Sequence, residues 1–199
     1  SREIAQARHE IALAVIGALD LRDTETEGHS LRVQSLSVAI ARRLGCTGAE
    51  LDIIGLGALL HDIGKIGVSD RVLRKPGPLS SAEWDEVRRH PELGYRYLKR
   101  LTMVDGVADI VRAHHERYDG KGYPLGLAGD AIPLGVRIFA VADAYDAMTS
   151  DRPYRRARSH AAVAEIECNS GTQFDPRVVR AFLEVTATPE AGEPQRAAA

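Results

Sequence analysis

Apolar residues recur along most of this chain at intervals of three and four, and no run of Val, Ile and Thr alternates with polar positions. Such spacing is helical, because side chains three and four apart share one helix face. The pattern therefore predicts an all-α chain. Residues 2–22 read as an amphipathic helix carrying Ile4, Ile11, Val15, Ala18 and Leu19. A second helix is expected from about Thr24 to Leu44, stopping at Gly45 because glycine accepts positive φ. Thr47 with Glu50 makes a capping-box pattern for a helix ending near His61, and Ser80 with Glu83 repeats it ahead of Trp84 and Val87. Pro91 is expected to kink or restart that second capped helix. Further helices are expected at 106–116, 133–149, 159–168 and 175–185. The stretch DGKGYPLGLAGDAIP between the first two of these is too rich in glycine and proline to be helical.

The chain has 199 residues, 44% of them hydrophobic, which suits one domain with a substantial core. Residues 1–22 are expected to be a connector from an upstream sensor or receiver module, 23–186 the domain proper, and 187–199 a small, polar, disordered tail. The start SREIAQARHE has neither an initiator Met nor signal-peptide character, which fits a piece of a longer protein. The 26 Lys and Arg are scattered among 28 Asp and Glu, so no basic field exists for long nucleic acid, while a small anionic ligand stays open. Cys46 and Cys168 lack CxxC spacing, against both a disulfide framework and a thiolate zinc site, and a reducing cytoplasm fits best. No stretch approaches the length of a membrane span.

Chemistry shows where polar groups interrupt apolar stripes. On the second helix the stripe Val33, Leu36, Ile40, Leu44 extends backwards by four to His29 and then Glu25. A buried carboxylate needs a partner or a metal. The alternative for Glu25, an exposed first-turn acid favoured by the helix dipole, stays open. His61 and Asp62 follow the stripe Leu51, Ile54, Ala58 and converge most easily where the helix frays, which Gly64 provides. His114 and His115 continue the stripe Val107, Ile110, Val111, and two successive histidines suit two neighbouring ions. The apolar helix at 133–149 contains Asp143, the better ligand candidate, and Asp146, a candidate for orienting a ligand from behind. Pattern alone leaves His90 evenly balanced between a ligand and a surface kink. His9 and His160 lie in polar stretches and are read as bystanders.

Nitrogen and oxygen donors without sulfur suit iron, manganese or other transition metals, with zinc left open. The set exceeds one ion. Two or three ions about 3.5 to 4 Å apart, bridged by a carboxylate and a hydroxide, are the usual machinery for displacement at phosphorus. Asp62 is the expected bridging carboxylate. Lys65, one turn beyond His61, is placed to contact the scissile phosphate or assist the leaving oxygen, an ordinary surface lysine being the alternative.

HDIGK at 61–65, HHERYDGKGYP at 114–124, VADAYDAMTS at 141–150, RPYR at 152–155 and GTQFDP at 171–176 together resemble the HD-GYP phosphodiesterases, a branch of the HD superfamily, in the family's order. The resemblance implies an all-α HD-domain helical bundle with an added C-terminal helical hairpin and GYP loop. It implies metal-dependent hydrolysis of cyclic di-GMP to pGpG or GMP. His29, His61, Asp62 and Asp143 match the general HD metal set, His90, His114 and His115 match the ligands that extend it, and Glu25 matches the acid of members that bind a third metal. Gly122, Tyr123 and Pro124 match the loop near the substrate, also linked in the family to GGDEF-domain cyclases. Arg152 and Arg155 match residues that contact the phosphates; a lysine is common at the second, and Arg155 keeps the charge with a different geometry. Some relatives cleave hybrid cyclic dinucleotides, and others have become binding modules. The complete ligand set favours catalysis, and the GYP and RPYR segments argue against a general nucleotide phosphohydrolase. Self-association through helix 2–22 is a further expectation.

Overall fold

The segment AELDIIGLGALL is apolar on nearly every side and must be enclosed by other helices. In the computed structural model, which describes residues 2–22, 28–101, 106–150 and 159–187, it becomes α3 (Ala49–Leu60). The other helices are α1 (Arg2–Asp20), α2 (His29–Arg43), α4 (Asp70–Leu73), α5 (Ser81–Val87), α6 (His90–Leu98), α7 (Val107–Ala113), α8 (Leu134–Thr149), α9 (Ser159–Cys168) and α10 (Pro176–Ala187). Single 3-10 turns lie at Ile63–Gly67 and Gly129–Ala131. Among the described residues there is no strand, in agreement with the periodicity.

α3 packs against α1, α2, α7 and α8, and its two sides feed two apolar cores. Ile54 and Ala58 join Val33 and Ile40 of α2, Val136, Phe139 and Val141 of α8, Ile166 of α9 and Val178 and Phe182 of α10. Leu59 and Leu60 join Ala12, Ile16 and Leu19 of α1, Leu98 of α6 and Val107 and Val111 of α7. Full burial of a side chain such as Phe139 or Phe182 contributes about 1.5–3 kcal/mol, so these cores hold the polar layer between them in place.

Several expectations change at helix ends. Gly28 adopts φ 74°, so α2 begins at His29 and does not run through from Thr24. The helical spacing that linked His29 to Glu25 is therefore interrupted, and Glu25 itself lies outside the described residues. Thr47 does not cap α3: its N–H donates to Glu50 Oε2 at 3.1 Å, but the cap position is Gly48. The Ser80–Glu83 capping box forms in full, and Pro91 sits in the first turn of a new helix. On α1 the buried face is Ala12, Ile16 and Leu19; Ile11 is 61% exposed and Ala18 is also exposed. The side chain of Ile4 and the tail at 188–199 lie outside the described residues.

Two close contacts fix the segment after α3. Gly64 lies so near α6 that a Cβ there would stand 1.8 Å from the His90 carbonyl oxygen and 2.7 Å from the Gly94 nitrogen. On the other side, Arg22 donates to the carbonyls of Ile66 (3.1 Å) and Val68 (3.2 Å) and to Asp70 (2.7 Å). Arg74 donates in return to the carbonyls of Leu21 (2.7 Å) and Arg22 (2.9 Å). Gly64→Ala should thus push two backbone segments apart. A loss of at least about 2 kcal/mol is expected, read as a fall of several degrees in the thermal melt followed by circular dichroism. An unchanged melting temperature would contradict this packing.

Candidate metal centre

α2, α3, the turn at Ile63–Gly67, α5, α6, α7 and α8 enclose a cavity of about 250 Å³. Its wall includes His29, His61, Asp62, Lys65, His90, His114, His115, Tyr123 and Asp143. The burial of these groups is extreme for ionisable side chains: His90 is 2% exposed, His61 3%, His114 4% and Asp62 7%.

What orients the rings is the hydrogen bond at the far nitrogen. His61 Nδ1 lies 2.9 Å from the Ala58 carbonyl, His90 Nδ1 2.7 Å from that of Val87, and His114 Nδ1 2.7 Å from that of Val111. A carbonyl only accepts, so each Nδ1 carries a proton, and Nε2 is the atom that offers a lone pair to a metal whenever the ring is neutral. His29 follows the same logic with a side-chain acceptor. Its Nδ1 donates to Asp146 Oδ2 at 2.7 Å, and Arg32 holds that carboxylate through Nε at 2.6 Å and Nη2 at 3.1 Å. Burial pushes the Asp146 carboxyl up, but the bonds from His29 and Arg32 outweigh it and bring it down to about 2.

Inside the cavity the donor atoms fall into two groups, His29 with His61 and Asp143, and His90 with His114 and His115. Within each, the donor atoms lie within 4.8 Å of one another. His29 Nε2 is 3.3 Å from Asp143 Oδ1. Asp62 stands between the groups, with Oδ2 3.0 Å from His61 Nε2 and Oδ1 3.2 Å from His90 Nε2. Burial drives its carboxyl up, yet His61 and Lys65 nearby, with hydrogen bonds from His61 and His90, hold it well below the usual carboxylate range. Burial, then His115 and the other rings, keeps His114 neutral, and burial lowers His115 to about 4.

The arrangement asks for cations. His90 Nε2 and His114 Nε2 are 3.1 Å apart beside Asp62, so with both Nδ1 protons engaged a proton or a cation must stand between or beside these two nitrogens to keep their lone pairs from facing each other. Nitrogen ligands about 2.0–2.1 Å from one ion stand at comparable mutual distances, so this donor set fits metal ions and would be costly without them.

The Gly-rich loop is built onto the same centre. Gly122 lies against the backbone of His115, Glu116 and Arg117, where a Cβ would approach within 2.4 Å. Glu116, 3% exposed, accepts the N–H groups of Leu125 (2.6 Å), Gly126 (3.1 Å) and Leu127 (3.1 Å). The loop thereby lays Tyr123 on His115, ring centroids 4.6 Å apart and 21° from parallel. Burial raises the Tyr123 hydroxyl to about 12, so it stays a hydrogen-bond donor. Tyr118 and Asp119 also donate their N–H groups to the carbonyls of Gln173 (3.1 Å) and Thr172 (2.8 Å), joining the loop to the GTQFDP segment.

Of the residues expected from sequence, His29, His61, Asp62, Lys65, His90, His114, His115, Tyr123 and Asp143 meet in this cavity. His90 is buried, not at a surface kink, and the Lys65 side chain is only 12% exposed with Nζ 2.8 Å from Asp62. Asp146 lies behind His29. Gly122 and Pro124 do not line the cavity; Gly122 shapes the loop and Pro124 is exposed. Glu25, Arg152 and Arg155 fall outside the described residues. Arg32, Glu116 and Trp84 were not foreseen. A third ionisable residue directly after two histidines was the available signal for Glu116, whereas Arg32 has an ordinary surface spacing.

Residues 14–178 match the HD domain family. The cyclic di-GMP phosphodiesterase response regulator RpfG of Xanthomonas campestris is 42% identical over 184 residues, covering 91% of this chain and 49% of the relative. Cyclic di-GMP phosphodiesterase PA4108 of Pseudomonas aeruginosa is 44% identical over 178 residues, covering 89% of this chain and 43% of the relative. The chain thus spans about half the length of these curated relatives or slightly less. The crystal structure of a cyclic GMP-AMP-specific phosphodiesterase of Vibrio cholerae superposes with a TM-score of 0.71 at 21% identity, covering 90% of this chain and 49% of that one. With the match running from α1 into α10 and the helical architecture shared, this chain belongs to the HD domain family.

Proposed function

We propose that this domain is a metal-dependent phosphodiesterase of the HD-GYP branch that hydrolyses cyclic di-GMP to pGpG or GMP. The observation that carries the proposal is the pair of donor groups flanking Asp62 in one cavity. The substrate is carried over from relatives such as RpfG and PA4108. In this reading His29, His61 and Asp143 would hold one ion and His90, His114 and His115 a second, with Asp62 standing between the two groups as the candidate shared ligand. Iron or manganese suits the mixed imidazole and carboxylate donors, and Glu25 is the candidate ligand for a third ion. When bound, the ions supply Lewis acidity at the phosphate and a water nucleophile acidic enough to ionise near neutral pH.

The chain's own groups do the rest. Lys65 Nζ, 2.8 Å from Asp62, places a positive charge at the cavity floor where it meets a phosphate oxygen or the leaving oxygen. The protonated Tyr123 hydroxyl is a donor on the cavity wall. Arg152 and Arg155 are assigned to the remaining phosphate charge, and Asp146 with Arg32 keeps His29 turned inward. Residues 1–22 are assigned as the connector from a sensor or receiver module and as a surface for self-association, with 23–186 the catalytic domain. GGDEF-domain proteins are the candidate partners of the GYP loop, and the cytoplasm the candidate compartment. Among the described residues no helix is long and apolar enough to cross a membrane.

Incubating protein loaded with Fe²⁺ or Mn²⁺ with cyclic di-GMP, and cyclic GMP-AMP in parallel, should give linear products resolved by chromatography, with pGpG or GMP from the first. No product under either metal would leave only a binding role. Asp62→Ala is expected to abolish turnover and lower the metal content found by elemental analysis; full activity in this variant would refute the bridging assignment. Glu116→Gln removes the charge that gathers three N–H groups of the loop, each such bond contributing about 1.5–3 kcal/mol. It should cut kcat/KM at least about tenfold while metal content stays at the wild-type level, and an unaltered kcat/KM would show that the loop holds without it.

A further inference from the structure

Trp84 is the sole tryptophan of the chain and lies outside both apolar cores. It is 48% exposed and stands on the wall of the cavity that holds Asp62, Lys65 and His90. Half-exposing so large an apolar surface forgoes the stabilisation that burial would bring, and an indole on a polar cavity wall has a flat π face available to a ligand. None of the ring contacts among the described residues involves Trp84. Its flat face is thus left over beside a cluster of histidines and charged groups.

The helix that bears it is short but firmly anchored. The Ser80–Glu83 capping box closes the N-terminus of α5, and Lys75 Nζ bonds Glu83 Oε2 at 2.6 Å. Glu86 accepts the N–H of Ser69 at 2.8 Å, which ties α5 to the chain leaving the Ile63–Gly67 turn. Trp84 is therefore held in a set position relative to Asp62 and Lys65. One helical turn on, the Arg88 guanidinium lies 5.7 Å from the Tyr123 ring centroid, and Tyr123 has one face already stacked on His115. The cavity wall at this side thus offers an indole face and a phenol, with the Arg88 cation over the phenol ring, next to Asp62 and Lys65.

We propose that Trp84 is the stacking platform for a purine base of the substrate. The inference rests on the cyclic dinucleotide reading above and adds a base-binding residue to it. A nucleotide whose diester phosphate lies at Asp62 and Lys65 carries its base one ribose away, and the indole is the aromatic surface on the α5 side of that point. Stacking on an indole tolerates either purine, because every base has a π face. Trp84 therefore supplies affinity for cyclic di-GMP and cyclic GMP-AMP alike, and the choice between them is made elsewhere.

The test separates the base from the phosphate. Trp84→Ala is expected to raise KM for both cyclic dinucleotides about tenfold, the lower half of what loss of one base–aromatic stack brings, with kcat within about twofold of wild type. Trp84→Phe should restore most of the affinity and Trp84→Leu, apolar but without a π face, should not. Because the chain has one tryptophan, its fluorescence reports this site alone. GMP added to the Mn²⁺-loaded protein should quench it, while ribose 5-phosphate, which carries the phosphate without the base, should not. An unchanged KM in Trp84→Ala, rescue by Leu as complete as by Phe, or equal quenching by both ligands would overturn the proposal. If no cyclic dinucleotide is hydrolysed, the functional reading fails by itself; quenching by GMP and not by ribose 5-phosphate would still support the platform.

Discussion

A helix leaves the carbonyls of its last turn without partners, and this domain turns that shortage into the geometry of its centre. Ala58, Val87 and Val111 lie in the last turns of α3, α5 and α7, and each receives the Nδ1 proton of a histidine three residues further on. Rotating any of these rings would strand a buried donor and acceptor, at about 1–3 kcal/mol for each group. The rings therefore stay fixed, and their Nε2 atoms converge. The placement of these three rings in the cavity, including the 3.1 Å approach of His90 to His114, follows from these terminal bonds.

A layer of imidazoles and carboxylates facing inward opposes folding, and the two apolar cores on either side overcome it. α3 and α7 belong to both cores and end at His61 and His114, so packing and ligand placement are the same event. Gly64 lets the chain beyond His61 press against α6, which brings Asp62 within reach of His90. Asp62 in turn stays ionised only because imidazoles and Lys65 surround it. The centre is thus cooperative in its electrostatics as well as in its packing.

Much of this was legible in the sequence, and the physical reasons for the rest are specific. His29, His114 and Asp143 could be found because helical periodicity places a polar group where an apolar one belongs. His90 could not, since it opens a helix after a break and shares a stripe with nothing; only the order of motifs pointed to it. Glu25 was tied to His29 by a spacing that presumes an unbroken helix, and the left-handed Gly28 removes that presumption. On α1 the apolar residues occupy more than one side, and the packing against α3 and the Ile63–Gly67 turn buries Ala12 and Ile16 and leaves Ile11 exposed. Glu116 and Arg32 act through loop amides and a carboxylate distant in sequence, relations that no local pattern encodes.

The reciprocal arginine bonds at the end of α1 have a mechanical consequence. Arg22 grips the carbonyls of Ile66 and Val68, and Arg74 grips those of Leu21 and Arg22, so two chain segments remote in sequence are stapled like the halves of a buckle. The strip from Asp62 to Arg74 is hence suspended between two supports, the α6 backbone at Gly64 and the foot of α1. The foot of α1 and the strip that carries the central carboxylate are thereby linked directly, and a displacement of one pulls on the bonds that hold the other.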